Sequence, residues 1–262
     1  MVDVAEIREK IRILIEKGPV LSTKPDVEKK NDGAVGNTFE REMDVPENSR
    51  PGPDYKQWEF KSKRLLSKTA ASLFTVKPNH PINGDQYMRE NWGVPDTENE
   101  YPHIKVLRTS VFVNQYREYY PEKIRLRASI DDSSVDDPKR KFRIKRFDAN
   151  DNVIDDSVYW DLCCIKKSAE AKLRNTLFVE ADETQTAGQV YFQYKTAIAY
   201  IDFNFDKFLN CLQEGKIRYE HRLGIYRSGA KKGREHNHGG GFRLNKPVDF
   251  YKIFDRVEEL YK

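Results

Sequence analysis

The sequence predicts an α/β fold in which a mixed central sheet is flanked by helices. Segments near both ends of the chain repeat apolar residues at helical spacing, as at Val4, Ile7, Ile11 and Leu14. The middle of the chain alternates apolar with polar residues, which is the pattern of half-buried strands. We find no internal repeat and no low-complexity tail. Helices at both ends of a strand-rich middle therefore favour helices packed on a mixed sheet.

Each element follows from a local pattern. The first helix ends at Gly18, and Pro46, Pro51 and Pro53 break the second helix and lead into a turn. Asn150-Asp151-Asn152 suits a hairpin turn between two strands. The expected helices cover residues 4–15, 35–43, 85–92, 162–174, 205–212 and 248–260. The expected strands cover residues 55–61, 72–77, 124–130, 141–147, 153–160, 177–181, 190–200, 216–226 and 242–244.

The composition allows a folded protein with a polar surface. The 262 residues are enough for one large domain or for two lobes around a continuous core. Charged residues make up 34% of the chain, but 14 Phe, 14 Tyr and 3 Trp supply large apolar groups, so disorder is not expected. The polarity suits either a solvated surface or a wide cleft for a polyanion. The net charge of +4 is mild, yet basic residues cluster in separate stretches and can form a local positive face.

Cysteine usage and the N-terminus bear on the compartment. The 3 cysteines are an odd number without a Cys-x-x-Cys pair, which argues against a disulfide framework and a structural zinc site. The N-terminus has no apolar signal core, and no apolar run approaches the length of a membrane span. We therefore expect a cytoplasmic protein that does not enter membranes.

Asp54, Glu59 and Lys61 form the pattern Pro-Asp-x4-Glu-x-Lys at the start of an expected strand. Side chains alternate between the faces of a strand, so Glu59 and Lys61 should project to the same side, and Asp54 can reach that point from the preceding turn. Two carboxylates there can hold a hard divalent cation, which would neutralise charge on a phosphate. A lysine beside them can stabilise the pentavalent phosphate or orient the attacking water.

The same letters have a structural explanation. An acidic residue two positions from a lysine on a strand is more often an exposed ion pair than an active site. Two features favour the functional interpretation. Phe60 is apolar between charged neighbours, as in a half-buried strand, and Glu40 lies upstream on a helix, where it could add a third carboxylate. Glu40 could equally be an ordinary solvated helix residue.

The Asp54–Lys61 pattern is one of several short sequence blocks that occur along the chain in the same order as in a known nuclease family. The blocks are Gly36-Asn37-Thr38-Phe39-Glu40, Pro53-Asp54 with Glu59-Phe60-Lys61, Ser72-Leu73-Phe74-Thr75, Asp156-Ser157-Val158-Tyr159-Trp160, Arg222-Leu223-Gly224-Ile225-Tyr226, Lys231-Lys232-Gly233, His236-Asn237-His238-Gly239 and Phe242-Arg243. Their joint order is far more specific than any single block. On these residues the chain resembles the MvaI/BcnI type of monomeric type II restriction endonuclease, a MutH-related family of PD-(D/E)xK nucleases.

The resemblance implies a restriction-endonuclease-like fold with two interleaved lobes around a DNA cleft in a single chain, residues 1–262. The catalytic lobe would be built around residues 30–92, and the recognition lobe would include residues 216–245. Asp54 and Glu59 would be the ligands of Mg²⁺, Lys61 would stabilise the transition state, and Glu40 would be an auxiliary catalytic carboxylate.

The resemblance also implies sequence-specific double-strand cleavage of DNA at a short, GC-flanked, near-palindromic site. A monomer with one active site would cut one strand at a time, and a cognate DNA methyltransferase would protect the host genome without needing to bind the nuclease. Two alternatives stay open. The protein could nick one strand, as MutH does in mismatch repair, or it could bind DNA without cleaving it.

A glycine-rich basic segment, residues 227–243, is the candidate DNA-reading loop. Glycine lets a backbone approach a groove closely, and the polar side chains suit base edges. A flexible solvated loop is the alternative. The contiguous letters His-Asn-His do not form an HNH nuclease site, whose residues lie far apart in sequence, and no third ligand is near enough for zinc. The predicted DNA-binding residues are Thr75, Arg222, Arg227, Lys231, Lys232, Arg234, His236, Asn237, His238 and Arg243.

Three positions bear on the target sequence. Relatives that accept a central G·C pair have histidines at the positions that match Thr75 and Gly241, and this chain has neither. The resemblance therefore implies a central A·T pair, as in CC(A/T)GG. Asn237 replaces an aspartate of the family, and an amide both donates and accepts hydrogen bonds, so one flanking base pair stays open.

Overall fold

The computed structural model describes residues 4–26, 33–46, 52–65, 67–96, 98, 100–119, 124–131 and 140–262. Contacts between residues divide the chain into two compact units. The first unit comprises residues 1–69, 170–204 and 250–262, and the second comprises residues 70–169 and 205–249. Residues 70–92, which follow the Asp54–Lys61 segment, thus belong to the second unit.

The described residues form five α-helices, one 3-10 helix and seventeen strands. The α-helices are α1 (Ala5–Glu16), α2 (Ala34–Glu42), α3 (Gly84–Trp92), α4 (Leu162–Leu173) and α5 (Phe205–Gln213). The first strands are β1 (Val20–Asp26), β2 (Trp58–Arg64), β3 (Ala71–Thr75), β4 (Val94–Pro95), β5 (Lys105–Val106), β6 (Ser110–Val111), β7 (Arg117–Tyr119), β8 (Ile124–Ile130) and β9 (Lys141–Phe147). The later strands are β10 (Val153–Asp161), β11 (Asn175–Thr186), β12 (Gln189–Phe203), β13 (Ile217–Glu220), β14 (Leu223–Ile225), β15 (Glu235–Asn237), β16 (Gly241–Leu244) and β17 (Phe254–Tyr261).

In its described part, the first unit contains a five-stranded mixed sheet. β12 lies antiparallel to β11, and β11 lies parallel to β2. β1 and β17 pair with different parts of β12, since Val20 lies opposite Phe192 and Phe254 lies opposite Phe203. The parallel pair needs a long crossover, and here the second unit supplies most of it between β2 and β11.

Helices α1 and α2 cover the core of this sheet with their apolar faces. Ile7, Ile11 and Leu14 recur at helical spacing on α1 and are buried. Phe39 on α2 is fully buried, and its ring lies 5.1 Å from the ring of Phe60 on β2. This packing fixes the strand that carries the candidate active site.

The described residues of the second unit form antiparallel sheets around an aromatic core. One sheet has the order β10-β9-β8-β7, and another has the order β3-β16-β13-β6. Strands β14 and β15 form a separate pair, and β15 carries two of the candidate DNA-reading residues, His236 and Asn237. Phe142, Trp160, Tyr219 and Phe242 pack against one another between these elements, with ring centroids from 4.7 to 6.3 Å apart.

The expected α/β fold is confirmed, but three local predictions are wrong. Residues 248–260 are not an α-helix. A 3-10 helix (Pro247–Ile253) covers the first part of this range, and β17 covers the rest. Pairing with β12 satisfies the backbone groups of β17 and overrides the helical spacing of its apolar residues. Residues 216–226 form two strands in different sheets, β13 and β14. The sequence pattern does not predict β1, because apolar and polar side chains do not alternate over residues 23–26.

Within the described ranges, the structure has no helix of the length and apolarity that a membrane span requires.

Replacing Phe39 with Ala should destabilise the protein by about 3–5 kcal/mol, because a large buried ring is lost and the cavity cannot fully collapse. The measurement is urea unfolding at equilibrium. Ile13→Ala on α1 is the control, since the Ile13 side chain is 55% exposed and should change stability by no more than about 0.5 kcal/mol. Equal effects of the two substitutions would contradict the assigned core.

Candidate active site and DNA-reading surface

Strand β2 holds Glu59 and Lys61 on one face. A tight turn precedes the strand, in which the Tyr55 and Trp58 backbones exchange hydrogen bonds of 2.9 and 2.7 Å. Phe60 turns toward Phe39 in the core, so the alternation of side chains places Glu59 and Lys61 on the other face. Lys61 Nζ donates to Glu59 Oε1 over 2.5 Å. The expected side-by-side arrangement of these two residues is therefore present.

Asp54 is fixed to the same strand by a backbone hydrogen bond. The N–H of Phe60 donates to Asp54 Oδ2 over 2.7 Å. This bond ties the turn to the strand and brings the Asp54 carboxylate beside Glu59. Its second oxygen, Oδ1, lies 3.3 Å from the ammonium of Lys172.

Lys172 is a member of this group that the sequence did not reveal. It extends from the C-terminal end of α4, and its Nζ lies 2.7 Å from Glu59 Oε2 and 3.0 Å from the carbonyl oxygen of Gly52. In the described part of the chain, Glu59 Oε2 has this ion pair but no partner that meets hydrogen-bond geometry. Lys172 is more than a hundred residues from Asp54, and no spacing rule connects them.

The electrostatics of the group are dominated by burial. Glu59 is 2% exposed, and burial raises the pKa of its carboxyl; Lys61 and Lys172 lower that pKa, while the charge of Asp54 raises it. Burial lowers the pKa of Lys172, but the carboxylates of Glu59 and Asp54 outweigh burial and leave the pKa raised. Glu59 thus takes up a proton more readily than an ordinary glutamate, whereas Lys172 stays charged.

The donor set fits a divalent cation with a preference for oxygen. One ammonium lies within 3.3 Å of both carboxylates, so Asp54 and Glu59 converge on a common point. An all-oxygen set is the kind that Mg²⁺ uses, with water or substrate as the other ligands. Within the described ranges, no three His, Cys, Asp or Glu residues are close enough together to hold a metal. The structure thus offers two protein carboxylates to such an ion.

Within the described ranges, Glu40 does not form a group of three possible metal ligands with this pair of carboxylates. It is on α2, next to Phe39, and it lines a cavity of about 560 Å³ together with Thr23, Lys24 and Asn37. Phe39 packs on the face of β2 opposite Glu59. The described residues therefore do not group Glu40 with Asp54 and Glu59, and its catalytic role stays a prediction.

The candidate DNA-reading loop is anchored at its base by ion pairs. Arg227 contacts both carboxylate oxygens of Asp96, one of them at 2.9 Å, and Lys232 lies 3.0 Å from Glu100. Hydrogen bonds from Arg227 hold the pKa of Asp96 far below its usual range. Lys231, between these anchors, and Arg234, just after the second one, are exposed. Arg227 and Lys232 thus pair with carboxylates of the protein itself, and both hold the loop in place.

His236 and His238 lie side by side on and just after β15, with ring centroids 4.0 Å apart. Burial, followed by the charges of His238 and nearby arginines, lowers the pKa of His236 to about 4. The pKa of His238 is also lowered, first by burial. A neutral imidazole has one donor and one acceptor, and both are useful against base edges. The amide of Asn237 donates to Asp85 over 2.7 Å.

The remaining predicted readers lie on β3, on β16 and in the link between β13 and β14. Arg243 on β16 contacts Glu220 at 3.3 Å, and Arg222 lines a cavity with both histidines. Thr75 on β3 lies directly opposite Gly241 on β16. The two positions that the family resemblance connects with the central base pair are therefore immediate neighbours in space.

Comparison with known proteins agrees with this fold. The family model described as the MvaI/BcnI restriction endonuclease family matches residues 8–254. The solved complex of restriction endonuclease MvaI with its cognate DNA substrate has a TM-score of 0.85 and 24% identity, over 99% of this chain and 99% of that one. MvaI in the absence of DNA has a TM-score of 0.58 and 22% identity, over 99% and 98%. At these identities the structural likeness shows the fold alone. No curated protein sequence has a significant match.

Replacing Glu59 with Gln should stabilise the protein at neutral pH in a buffer with a metal chelator. The pKa of Glu59 is higher in the folded state than in the unfolded state. Ionisation of Glu59 therefore lowers the free energy of unfolding as pH rises. The gain should be about 0.5–2 kcal/mol, the usual size for a single stabilising substitution. It should shrink as pH falls and vanish below the ordinary pKa of 4.5, where both states are protonated.

Thermal unfolding across pH is the measurement. Glu259→Gln is the matched control, because the Glu259 side chain is 61% exposed on β17. A Glu59→Gln protein that is less stable than the parent at neutral pH would show that Glu59 is a stabilising partner of the two lysines.

Proposed function

Because this chain belongs to the MvaI/BcnI restriction endonuclease family, and so is a site-specific deoxyribonuclease, we propose that Asp54, Glu59 and Lys61 form its Mg²⁺-dependent active site. The observation that carries this proposal is that the Asp54 and Glu59 carboxylates both lie within 3.3 Å of one positive group, the ammonium of Lys172. The enzyme would cut both strands of DNA within a short, GC-flanked, near-palindromic site.

Asp54 and Glu59 would hold the ion, and the chain's own residues prepare the site for it. When bound, Mg²⁺ supplies positive charge that stabilises the charge developing on the scissile phosphate. The bond from the Phe60 N–H orients Asp54. Lys61 Nζ, held 2.5 Å from Glu59 Oε1, would stabilise a phosphate oxygen in the transition state or orient the attacking water. Glu40 remains the auxiliary member of this proposal.

The hairpin of β14 and β15 and the neighbouring strands would read the sequence. Neutral His236 and His238 present donors and acceptors, while Arg222 and Arg243 suit guanine. The facing positions of Thr75 and Gly241 support a shared role at the central base pair. Since neither is histidine, a central A·T pair as in CC(A/T)GG is the proposed target.

A monomer with one such site cuts the two strands in separate events. We include this monomeric mode in the proposal, together with protection of host DNA by a cognate methyltransferase that need not bind the nuclease. Nicked intermediates should therefore precede linear products during cleavage of a plasmid.

Incubation of the protein with plasmid and Mg²⁺ tests the function. Discrete linear fragments are expected, and Asp54→Ala should lower the cleavage rate on the order of 10³-fold or more, because one of two metal ligands is lost. Asp44→Ala is the control, since the Asp44 side chain is 87% exposed in the same unit, and its rate should equal that of the parent.

Other products would overturn parts of this proposal. Open circles as the final product would indicate a strand-nicking enzyme like MutH. A gel shift without any cleavage would indicate a DNA-binding protein, and full activity of Asp54→Ala would remove Asp54 from the active site.

A further inference from the structure

A cavity of about 670 Å³ in the second unit lies beside the candidate DNA-reading hairpin. Segments from distant parts of the sequence line it: residues 108–110, residues 117–118, residues 220–222, and the two histidines of the hairpin. Residues of the first two segments are absent from the set of readers that the sequence suggested. The fold therefore adds chemistry to the reading surface that no local motif shows.

Arg108 lies directly over Gly224, beside His236. A Cβ atom on Gly224 would lie 2.5 Å from Arg108 Nη2 and 2.6 Å from His236 Cε1, and real Cβ atoms do not come so close to other atoms. The positive-φ glycines do not include Gly224, so its backbone conformation would tolerate a side chain. Glycine is needed at this position for space: it lets the guanidinium and the imidazole occupy the same side of the hairpin.

The lining of the cavity suits a base edge better than a phosphate. Arg108, Arg117 and Arg222 offer donors, but Glu118 and Glu220 bring carboxylates into the same space, and these would repel a phosphate. His221 is 2% exposed, and burial lowers its pKa to about 3, so it is neutral. In the described part of the chain, its Nε2 has no hydrogen-bond partner. A surface of mixed donors and acceptors matches the major-groove edge of a base pair.

We propose that Arg108 is a further specificity-determining residue that reads a guanine of the target site through O6 and N7. The planar fork of arginine matches these two acceptors, which lysine cannot engage in the same way. Gly224 keeps the space that the guanidinium needs. This inference rests on the proposed function, because it assigns a reader to the same DNA site.

The test begins with the parent enzyme, whose target is found by sequencing the ends of cleaved DNA. Binding to target duplexes is then measured with Ca²⁺ in place of Mg²⁺, and each guanine is replaced in turn by 7-deazaguanine, which lacks the N7 acceptor. At one guanine, the replacement should weaken binding of the parent about 5- to 150-fold. Arg108→Ala should lose a similar factor on normal DNA and nothing further at that guanine.

Two more variants separate base reading from simple attraction of charge. Arg108→Lys keeps the charge but not the fork, and it should lose the same guanine preference. Gly224→Ala should lose it too, because a methyl group displaces Arg108, while a thermal unfolding curve like that of the parent shows that the fold is kept.

The outcomes distinguish this inference from the proposed function. If the parent cleaves but Arg108→Ala weakens all duplexes uniformly, or Arg108→Lys restores parental binding, Arg108 contacts phosphate and the inference is overturned. If the parent cleaves no DNA, the proposed function fails and this inference fails with it.

Discussion

The buried carboxylate of Glu59 is the constraint on which the first unit depends. A carboxylate that is 2% exposed needs cations close by, and Lys61 and Lys172 provide them at 2.5 and 2.7 Å. These contacts require β2 to lie in register beside β11, and they require α4 to end where Lys172 can reach the strand. In the proposed active site, the burial that makes Glu59 costly to ionise would also make it a strong ligand for a cation. The stability of the fold and the proposed catalysis therefore place opposite demands on the Glu59 side chain.

In the second unit, the main electrostatic feature is a group of arginines and neutral histidines. Arginines lie around the cavity beside the hairpin. Burial keeps His221 and His236 neutral, and at His236 the arginine charges lower the pKa as well. In the proposed function, the positive charge would attract DNA over a distance, while the neutral imidazoles and Arg108 would discriminate between bases at contact. Gly224 makes this crowding possible because it leaves room for two side chains over one backbone position.

The sequence could predict those parts of the site that lie close together in the chain. The period of two along a strand was enough to place Glu59 and Lys61 on one face, and a turn was enough to bring in Asp54. Lys172 and Arg108 could not be found in this way, because the tertiary fold brings them to residues more than a hundred positions away. The prediction of a helix at residues 248–260 is wrong for a related reason. Pairing with the distant strand β12 determines the conformation of β17.

The central claim is that Asp54 and Glu59 form one site for a divalent cation. Calorimetric titration of the protein with Mg²⁺, at a pH of about 8 and without DNA, tests it most directly. The parent should bind the ion, and Asp54→Asn should bind it at least about 10-fold more weakly, because it loses a charged oxygen ligand. The control Asp44→Asn should behave as the parent does. Equal affinity of Asp54→Asn and the parent would contradict the account, since the cation would then be held elsewhere.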